Sequence, residues 1–338
     1  MTLACVLGCA ATTLSAEEAA FYRDVRPWGF ILFRRNVESP DQLRALTEAL
    51  RAAADRPDAP VMIDQEGGRV QRLGPPHWRR YPPARTYGAM AMDDCRRRDL
   101  VRMAGRLIAD DLIALGINID CAPVLDVPVV GAHDVIGDRA FGETPAEVAA
   151  LARAMAEGLM AGGVLPVIKH IPGHGRARVD SHLHLPIVEA SLADLETWDF
   201  APFRALADMP IAMTAHVVYQ ALDAGSPCTT SSRVIAEIIR GAIGFDGLLL
   251  SDDLSMKALD GTLTDLTRSA LTAGCDIALH CNGDLTEMRA VAAGATSLTA
   301  LAQTRADAAI SRLVKPEPWD RIEAMATFDA MLADLSPA

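Results

Sequence analysis

The feature that most constrains the fold is a regular alternation of short apolar runs with longer amphipathic stretches. Eight runs are rich in Val, Ile and Leu with little polar alternation, which is typical of parallel strands buried on both faces. The predicted strands are residues 4–10, 29–33, 60–64, 117–125, 165–170, 211–219, 247–252 and 275–280. Eight strand–helix repeats in one chain predict a (β/α)8 TIM-type barrel of class α/β.

The stretches between these runs carry helix start signals. Ser15 precedes Glu18 by three residues, the spacing of a capping box, and Pro40 and Pro145 each follow a Ser or Thr. Further helices are predicted near 93–115, 191–207, 231–242, 264–273, 284–296, 300–313 and 318–335. We therefore predict one catalytic domain over residues 1–338, with the barrel at about 4–300 and extra C-terminal helices at about 300–335.

A doubly wound open sheet is the alternative for alternating strands and helices. Such a sheet usually carries a glycine-rich phosphate loop after its first strand. Here that position reads Gly8-Cys9-Ala10-Ala11-Thr12, which matches neither glycine-rich nucleotide motif. The sequence therefore offers no motif for a nucleotide site, and we expect no cofactor.

Charge and composition narrow the function classes. The net charge of −12 repels polyanions, so nucleic-acid binding is not expected. The longest uncharged apolar stretches reach about half of the ~20 residues that a membrane-spanning helix needs, so no span is expected. Seven cysteines without CxxC spacing, several in apolar runs, fit buried free thiols in the cytoplasm. No association motif is visible, so a monomer is expected.

Polar residues gather at the predicted carboxyl ends of the strands, where (β/α)8 barrels place their chemistry. Burying unpaired charges costs several kcal/mol, so packing alone does not account for this cluster. It comprises Asp64, Gln65, Glu66, Arg69, Arg72, Asp126, Asp138, Arg139, Lys169, His170, His174, Asp180, His182, His184, His216, Ser251, Asp252, Asp253, His280 and Asn282.

Single members of the cluster have simpler explanations. Asp64 alone could cap a helix or pair with an arginine, and His216 could be a core histidine. Asp126 could simply hold the loop after the fourth strand. Asp252 and Asp253 are neighbours on a strand and point opposite ways, so we expect one to face the pocket and the other to serve the loop.

Two chemistries suit such a cluster, and the first is metal-assisted hydrolysis. The candidate Zn²⁺ ligands are His170, His174, His182, His184 and His216. Their spacing is no known zinc-hydrolase signature, and the HxxxH pattern falls across Pro172-Gly173, which cannot form a regular helix.

The second chemistry is glycoside hydrolysis, which needs a carboxylate to attack the anomeric carbon and an acid to protonate the leaving oxygen. Asp252 is a candidate nucleophile. No glutamate occupies an obvious acid position, but Asp180 with His182 could serve, because a carboxylate orients an imidazole and raises its pKa. Lys, Arg and Asp side chains would hold the sugar hydroxyls by charge-assisted hydrogen bonds.

At these residues the sequence resembles the bacterial β-N-acetylglucosaminidases of glycoside hydrolase family 3. The likeness lies in the run 169–175 followed by Asp180-Ser181-His182, in the segment 251–256, and in the segments 29–33, 63–70 and 136–142. It covers about residues 4 to 300 in order. Several long motifs together make a chance agreement improbable.

The resemblance implies removal of terminal β-linked GlcNAc from GlcNAc–1,6-anhydroMurNAc fragments, with or without peptide, during cell-wall recycling in the cytoplasm. It implies Asp252 as the nucleophile, His182 as the acid/base and Asp180 as the partner of His182. The implied donor-subsite residues are Asp64, Arg72, Arg139, Lys169 and His170. No metal is implied.

Some features leave alternatives open. Many family members carry a second α/β domain that supplies the acid/base, and this chain is too short for it, in agreement with an acid/base on the loop after the fifth strand. Arg176 and Arg178 could favour an anionic MurNAc or peptide, although two solvated loop charges are the simpler explanation. A barrel that binds muropeptides without turnover and a β-glucosidase on the same scaffold remain as alternatives.

Overall fold

Eight parallel strands close into a barrel in the computed structural model, which describes residues 2–180, 184–316 and 318–333. The strands are β1 (Leu3–Leu7), β2 (Pro27–Leu32), β3 (Val61–Ile63), β4 (Ile119–Asp120), β5 (Leu165–Ile171), β6 (Ile211–Thr214), β7 (Leu248–Asp253) and β8 (Ile277–His280). Each strand pairs with its neighbours in the chain, and β8 pairs with β1. The predicted (β/α)8 barrel is confirmed, and the closure of β8 on β1 excludes the open sheet.

Helices follow the strands, and their starts are capped as the sequence predicts. The α-helices span Ala16–Val25, Pro40–Ala53, Ala84–Gly88, Asp94–Ile113, Pro145–Ala161, Leu192–Asp194, Ala201–Ala205, Leu263–Ala273, Leu285–Gly294, Ala300–Ile310 and Arg321–Ala333, with π-helical turns at Leu195–Asp199 and Val234–Ala242. Ser15 and Glu18 form the capping box at the first helix. Ser39 and Thr144 cap the helices that begin with proline.

Three predicted elements are broken into shorter pieces. The helix expected near 191–207 is divided among three short segments. The regular part of β4 ends at Asp120, although the chain continues beside β5, where the Leu125 N–H donates to the Lys169 carbonyl at 2.7 Å. Pro123 has no N–H to donate, so the regular ladder cannot continue there. Residues 218–219, expected within β6, form a separate pair with residues 187–188.

Apolar side chains fill the barrel and the space between barrel and helices. The interior contains Ile31, Met62, Ile119, Val167 and Met213, all nearly inaccessible to water. Side chains at alternate positions of the strands pack outward against the helices. This arrangement leaves the carboxyl ends of the strands as the face on which polar groups gather.

The C-terminal helices pack against the barrel. Ala306 and Ala309 of the helix Ala300–Ile310 join the apolar cluster inside the barrel. The helix Arg321–Ala333 lies along Asp94–Ile113, buries Phe328 completely, and is preceded by Trp319, whose indole N–H donates to Asp110 at 2.7 Å.

All seven cysteines are unpaired, and all but Cys95 are buried. Across the described ranges, none of the helices combines the length and apolar character that crossing a bilayer requires.

Candidate active site

A cavity of about 210 Å³ opens at the carboxyl ends of the strands. Its polar wall includes Asp252 and the five predicted sugar-binding residues. Its apolar wall consists of side chains from β2, β6 and β8 and from the loops after β2, β3, β4, β7 and β8. It is lined by Ile31, Phe33, Asp64, Val70, Arg72, Val135, Ile136, Arg139, Lys169, His170, His174, Met213, Asp252, Asp253, Met256, Leu279 and Cys281.

A network of five charged side chains forms one side of the cavity. Lys169 Nζ lies 3.0 Å from Asp64 Oδ1 and 2.7 Å from Glu66 Oε1. Arg72 donates to the other oxygen of Asp64 at 2.9 Å, and Arg139 makes two parallel hydrogen bonds of 2.8 Å to Glu66. The structure therefore brings together four of the five predicted sugar-binding residues through direct contacts and through Glu66.

Mutual attraction keeps these buried groups ionised. Burial alone would raise the pKa of Asp64, but Lys169 and Arg72 outweigh it and hold that pKa well below its usual range. Arg139 and Lys169 likewise lower the pKa of Glu66 to about 2 against the effect of burial. Burial disfavours the charged form of Lys169, yet the two carboxylates raise its pKa above its ordinary value.

Asp252 stands at the end of β7 on the opposite wall of the cavity. Its backbone N–H donates to Thr214 Oγ1 at 3.2 Å, and its Oδ1 accepts the Asp253 N–H at 2.8 Å. Burial raises the pKa of this carboxyl, but His216 and then His170 reverse the effect, so the net pKa is lowered. Asp252 is therefore a carboxylate, the form that a nucleophile requires.

Asp253 points to its own loop. Its carboxylate accepts from the hydroxyl and the backbone N–H of Ser255 and from the backbone N–H of Cys281. The Asp253 carboxylate thus serves its loop, as expected for one of the two, although both Asp252 and Asp253 are among the residues that line the cavity.

His170, the fifth predicted sugar-binding residue, is held by Asp126. Asp126 Oδ2 lies 2.7 Å from His170 Nδ1, and Asp126 is fully buried. His174 follows on the loop after β5 (residues 172–180, the β5 loop), where burial lowers its pKa to about 4 and keeps the ring neutral near pH 7.

Asp180, one member of the predicted acid/base pair, is the last residue of the β5 loop. Asp180 is half-buried and is not among the residues that line the cavity. The prediction for His182 concerns a residue outside the described ranges, so the pairing of Asp180 with His182 and its place relative to Asp252 stay predictions.

The two arginines of the β5 loop have different surroundings. Arg176 Nε donates to the buried Asp199 at 2.6 Å, whereas Arg178 is exposed. Burial raises the pKa of Asp199 to about 6 although Arg176 acts in the opposite direction. The first arginine is therefore engaged inside the protein, and only Arg178 matches the description of a solvated loop charge.

The candidate zinc ligands that lie in the described ranges form no metal-binding cluster. Within residues 2–180, 184–316 and 318–333, no three His, Cys, Asp or Glu side chains are arranged to hold a metal ion. His216 is buried away from the cavity lining, with Nδ1 2.7 Å from Thr229 Oγ1 and Nε2 3.0 Å from the Asp253 carbonyl. His216 is thus a core histidine with satisfied hydrogen bonds, which was the simpler expectation for it.

Three side chains contribute to the site although the sequence analysis gave them no part in binding, namely Glu66, Asp126 and Phe33. Glu66 links Lys169 to Arg139, Asp126 holds His170, and the Arg72 guanidinium lies 4.8 Å from the centre of the Phe33 ring. Glu66 stands two residues after Asp64, and side chains two apart on an extended chain share a face. That spacing is the signal that could have found it.

Comparison with known proteins gives the family. The family model described as the glycosyl hydrolase family 3 N terminal domain matches residues 8–315. A β-hexosaminidase of Alkalilimnicola ehrlichii is 43% identical over 281 residues, which cover 82% of this chain and 80% of the relative. A β-hexosaminidase of Methylococcus capsulatus is 43% identical over 273 residues, which cover 80% of each chain.

Solved structures agree in fold over nearly the whole chain. Native NagZ from Neisseria gonorrhoeae superposes with a TM-score of 0.84 at 35% identity, covering 99% of this chain and 98% of that one. The same protein in complex with N-trifluoroacetyl-D-glucosamine gives a TM-score of 0.85 at 35% identity, covering 98% and 96%. The chain is a glycoside hydrolase and belongs to glycosyl hydrolase family 3.

Proposed function

We propose that the protein is an exo-acting, retaining β-N-acetylglucosaminidase. Its substrates would be peptidoglycan fragments, from which it removes the terminal β-1,4-linked GlcNAc. The fragments are GlcNAc–1,6-anhydroMurNAc with or without peptide, taken up in cell-wall recycling in the cytoplasm. The protein would act as a monomer and as a single catalytic domain.

The observation that carries this proposal is the placement of an ionised Asp252 opposite the charged network, across a small cavity. Drug-sized ligand sites typically measure about 300–1,000 Å³. A cavity of about 210 Å³ is smaller, which suits one terminal sugar better than a stretch of glycan chain. Asp64, Arg72, Lys169 and His170 offer charged and polar groups to the hydroxyls of such a sugar.

The specificity for an N-acetylated sugar is supported by relatives. Curated relatives that are 43% identical bear the name β-hexosaminidase. The gonococcal structure contains N-trifluoroacetyl-D-glucosamine, an N-acylated glucosamine.

The proposed reaction has two displacements. A carboxylate oxygen of Asp252 attacks the anomeric carbon while His182, oriented by Asp180, gives its proton to the glycosidic oxygen, and the aglycone leaves as an alcohol. His182 then takes a proton from water, whose oxygen attacks the same carbon and releases Asp252. Two inversions at one carbon retain the β configuration.

The first test is hydrolysis of 4-nitrophenyl β-GlcNAc beside 4-nitrophenyl β-glucoside, each with and without EDTA. Fast release from the GlcNAc substrate alone, unaffected by EDTA, is the expected result. Release from the glucoside alone would contradict the proposed specificity for GlcNAc. Loss of activity in EDTA would support the interpretation of the histidines as metal ligands. If neither substrate releases nitrophenol, the protein either binds sugars without hydrolysing them or requires the natural aglycone. Hydrolysis of GlcNAc–1,6-anhydroMurNAc itself would distinguish these two cases.

The retaining mechanism needs its own measurement. Proton NMR of the first-formed sugar during hydrolysis should show the β anomer before mutarotation. Treatment with a 5-fluoro-GlcNAc glycosyl fluoride should add one glycosyl mass to the peptide that contains Asp252. The α anomer as first product would contradict the proposal.

A further inference from the structure

We infer that Asp126 is a positioning residue, which fixes the nitrogen of His170 that carries the proton and thereby the hydrogen bond that His170 offers to the sugar. The inference rests on the proposed function and adds one determinant of sugar binding to the same site. The simpler expectation for Asp126 was that it only holds the loop after β4.

The contacts of Asp126 divide its two oxygens between the ring and the backbone. Oδ2 lies 2.7 Å from His170 Nδ1, while Oδ1 accepts the backbone N–H groups of His170 at 3.2 Å and of His174 at 2.6 Å. An ionised carboxylate only accepts, so His170 Nδ1 must carry hydrogen. Burial raises the pKa of Asp126, but the interaction with His170 lowers it by more. The pKa of Asp126 is therefore below its usual value.

The other ring nitrogen is left for a ligand. His170 lines the cavity, and its Nε2 has no hydrogen-bond partner within the residues that the structure describes. An imidazole with its proton on Nδ1 presents Nε2 as an acceptor. A sugar hydroxyl is a donor that fits this position.

The fold fixes Asp126 from both sides. On one side the chain before it runs beside β5, with the Leu125 N–H donating to the Lys169 carbonyl at 2.7 Å. On the other side Gly175 of the β5 loop packs so closely on Val127 that a Cβ at Gly175 would overlap the Val127 carbonyl. The backbone that carries Asp126 is therefore held on both sides, which places its buried carboxylate beside His170.

Replacing Asp126 by Asn keeps the shape and reverses one hydrogen bond. The amide oxygen of Asn can keep the two backbone N–H groups of His170 and His174, which share Oδ1 in the wild type. The NH2 group then faces His170 Nδ1, which must become an acceptor. The proton moves to Nε2, and the ring presents a donor to the cavity where the wild type presents an acceptor.

Asp199→Asn provides a matched control. Asp199 is also a buried carboxylate that holds the β5 loop, through Arg176 Nε at 2.6 Å, and the structure records no bond between it and His170. If Asp126 merely stabilised the loop, both substitutions would reduce activity in the same way. If it acts through His170, only Asp126→Asn would change the binding of the sugar.

The experiment combines kinetics with ¹⁵N NMR of histidine-labelled protein, in which the signal missing from His170→Gln identifies His170. For D126N we expect kcat/KM on 4-nitrophenyl β-GlcNAc to fall about 10–100-fold, by analogy with the loss of partners that orient metal-binding histidines. The inhibition constant of free GlcNAc should rise by a similar factor. The loss should be equal for phenyl and 4-nitrophenyl glycosides, because leaving-group protonation is untouched.

The spectra and the control decide the outcome. We expect His170 to be Nδ1-protonated in the wild type and Nε2-protonated in D126N, with D199N resembling the wild type and staying within about threefold of its activity. A wild-type ring at pH 7.5 that is protonated on Nε2 alone or on both nitrogens, or equal losses in both variants, would overturn the inference. If D126N does not fold, the wild-type spectrum still decides. If the wild type hydrolyses no GlcNAc glycoside, the proposed function fails while the spectrum still tests Asp126.

Discussion

Glu66→Gln offers the sharpest test of the charged network, because it removes one charge and almost no volume. The carboxylate of Glu66 is 7% exposed and contacts Lys169 and Arg139 at 2.7–2.8 Å. A pKa of about 2 against the ordinary 4.5 corresponds to about 3 kcal/mol of native-state stabilisation, since each tenfold change in an equilibrium constant is about 1.4 kcal/mol. Removing one partner of a buried ion pair typically costs about 3–5 kcal/mol, in agreement.

The direction of the pH dependence follows from the lowered pKa. A carboxyl with a lower pKa in the native state stabilises the protein above the unfolded pKa of 4.5. That stabilisation is lost as the pH falls from about 4.5 towards 2. The difference between wild type and Glu66→Gln should therefore be largest near neutral pH and shrink in acid.

Urea denaturation at pH 7 and at pH 3.5 measures this difference. Glu143→Gln is the matched control, because Glu143 also pairs with an arginine, Arg85 at 3.1 Å, but is 84% exposed. Exposed pairs contribute about 0–1 kcal/mol. If Glu66→Gln destabilises no more than Glu143→Gln at pH 7, or by the same amount at both pH values, the buried network does not stabilise the protein as argued.

Further predictions address the reaction, the barrel interior and the β5 loop. Asp252→Ala should abolish release even from activated aryl glycosides in the nitrophenyl assay. His182→Ala should slow phenyl glycosides far more than 4-nitrophenyl glycosides, and equal losses would contradict an acid role. Burial raises the pKa of Asp120 to about 8, so the native state binds a proton more tightly than the unfolded chain between about pH 4 and 8, and stability should fall as the pH rises through that range. Asp120→Asn should remove this fall in urea titrations at pH 5 and pH 9, and an unchanged slope would refute the assignment. Gly175→Ala should destabilise by about 1–3 kcal/mol in thermal melts, because a Cβ there overlaps a backbone carbonyl. Gly225→Ala, whose Cβ would meet nothing closer than 3.6 Å, should change stability by less than about 0.5 kcal/mol.

The barrel could be predicted because its signals are local. Apolar runs identify buried strands whatever they pair with, and the caps at Ser15 and Ser39 depend on residues only three positions away. Eight strand–helix repeats can close into a barrel, and in such a barrel each strand lies beside its neighbours in the sequence. The prediction fails where the regularity of a strand depends on partners distant in sequence. After Asp120 the chain continues beside β5 without forming a regular ladder of hydrogen bonds.

Side-chain pairing across the barrel could not be predicted in the same way. Glu66 and Arg139 are 73 positions apart, and Arg176 and Asp199 are 23 positions apart. Neither pair has a sequence spacing that favours contact. Arg176 shows the consequence, because a loop arginine with a candidate role in binding the substrate is turned inward by a carboxylate from the following helix.

The balance of charge explains how such a site can bind an uncharged sugar. Three cations face two carboxylates in the network, which leaves one positive charge, and Asp252 across the cavity supplies one negative charge. Lys169 contributes to the lowered pKa of Asp252 over that distance. Because the charges satisfy one another before substrate arrives, their donors and acceptors stand in fixed positions and need little reorganisation. Asp252, the proposed nucleophile, receives the Asp253 N–H on Oδ1 at 2.8 Å, and within the described residues no hydrogen bond reaches Oδ2, which leaves that oxygen for the attack.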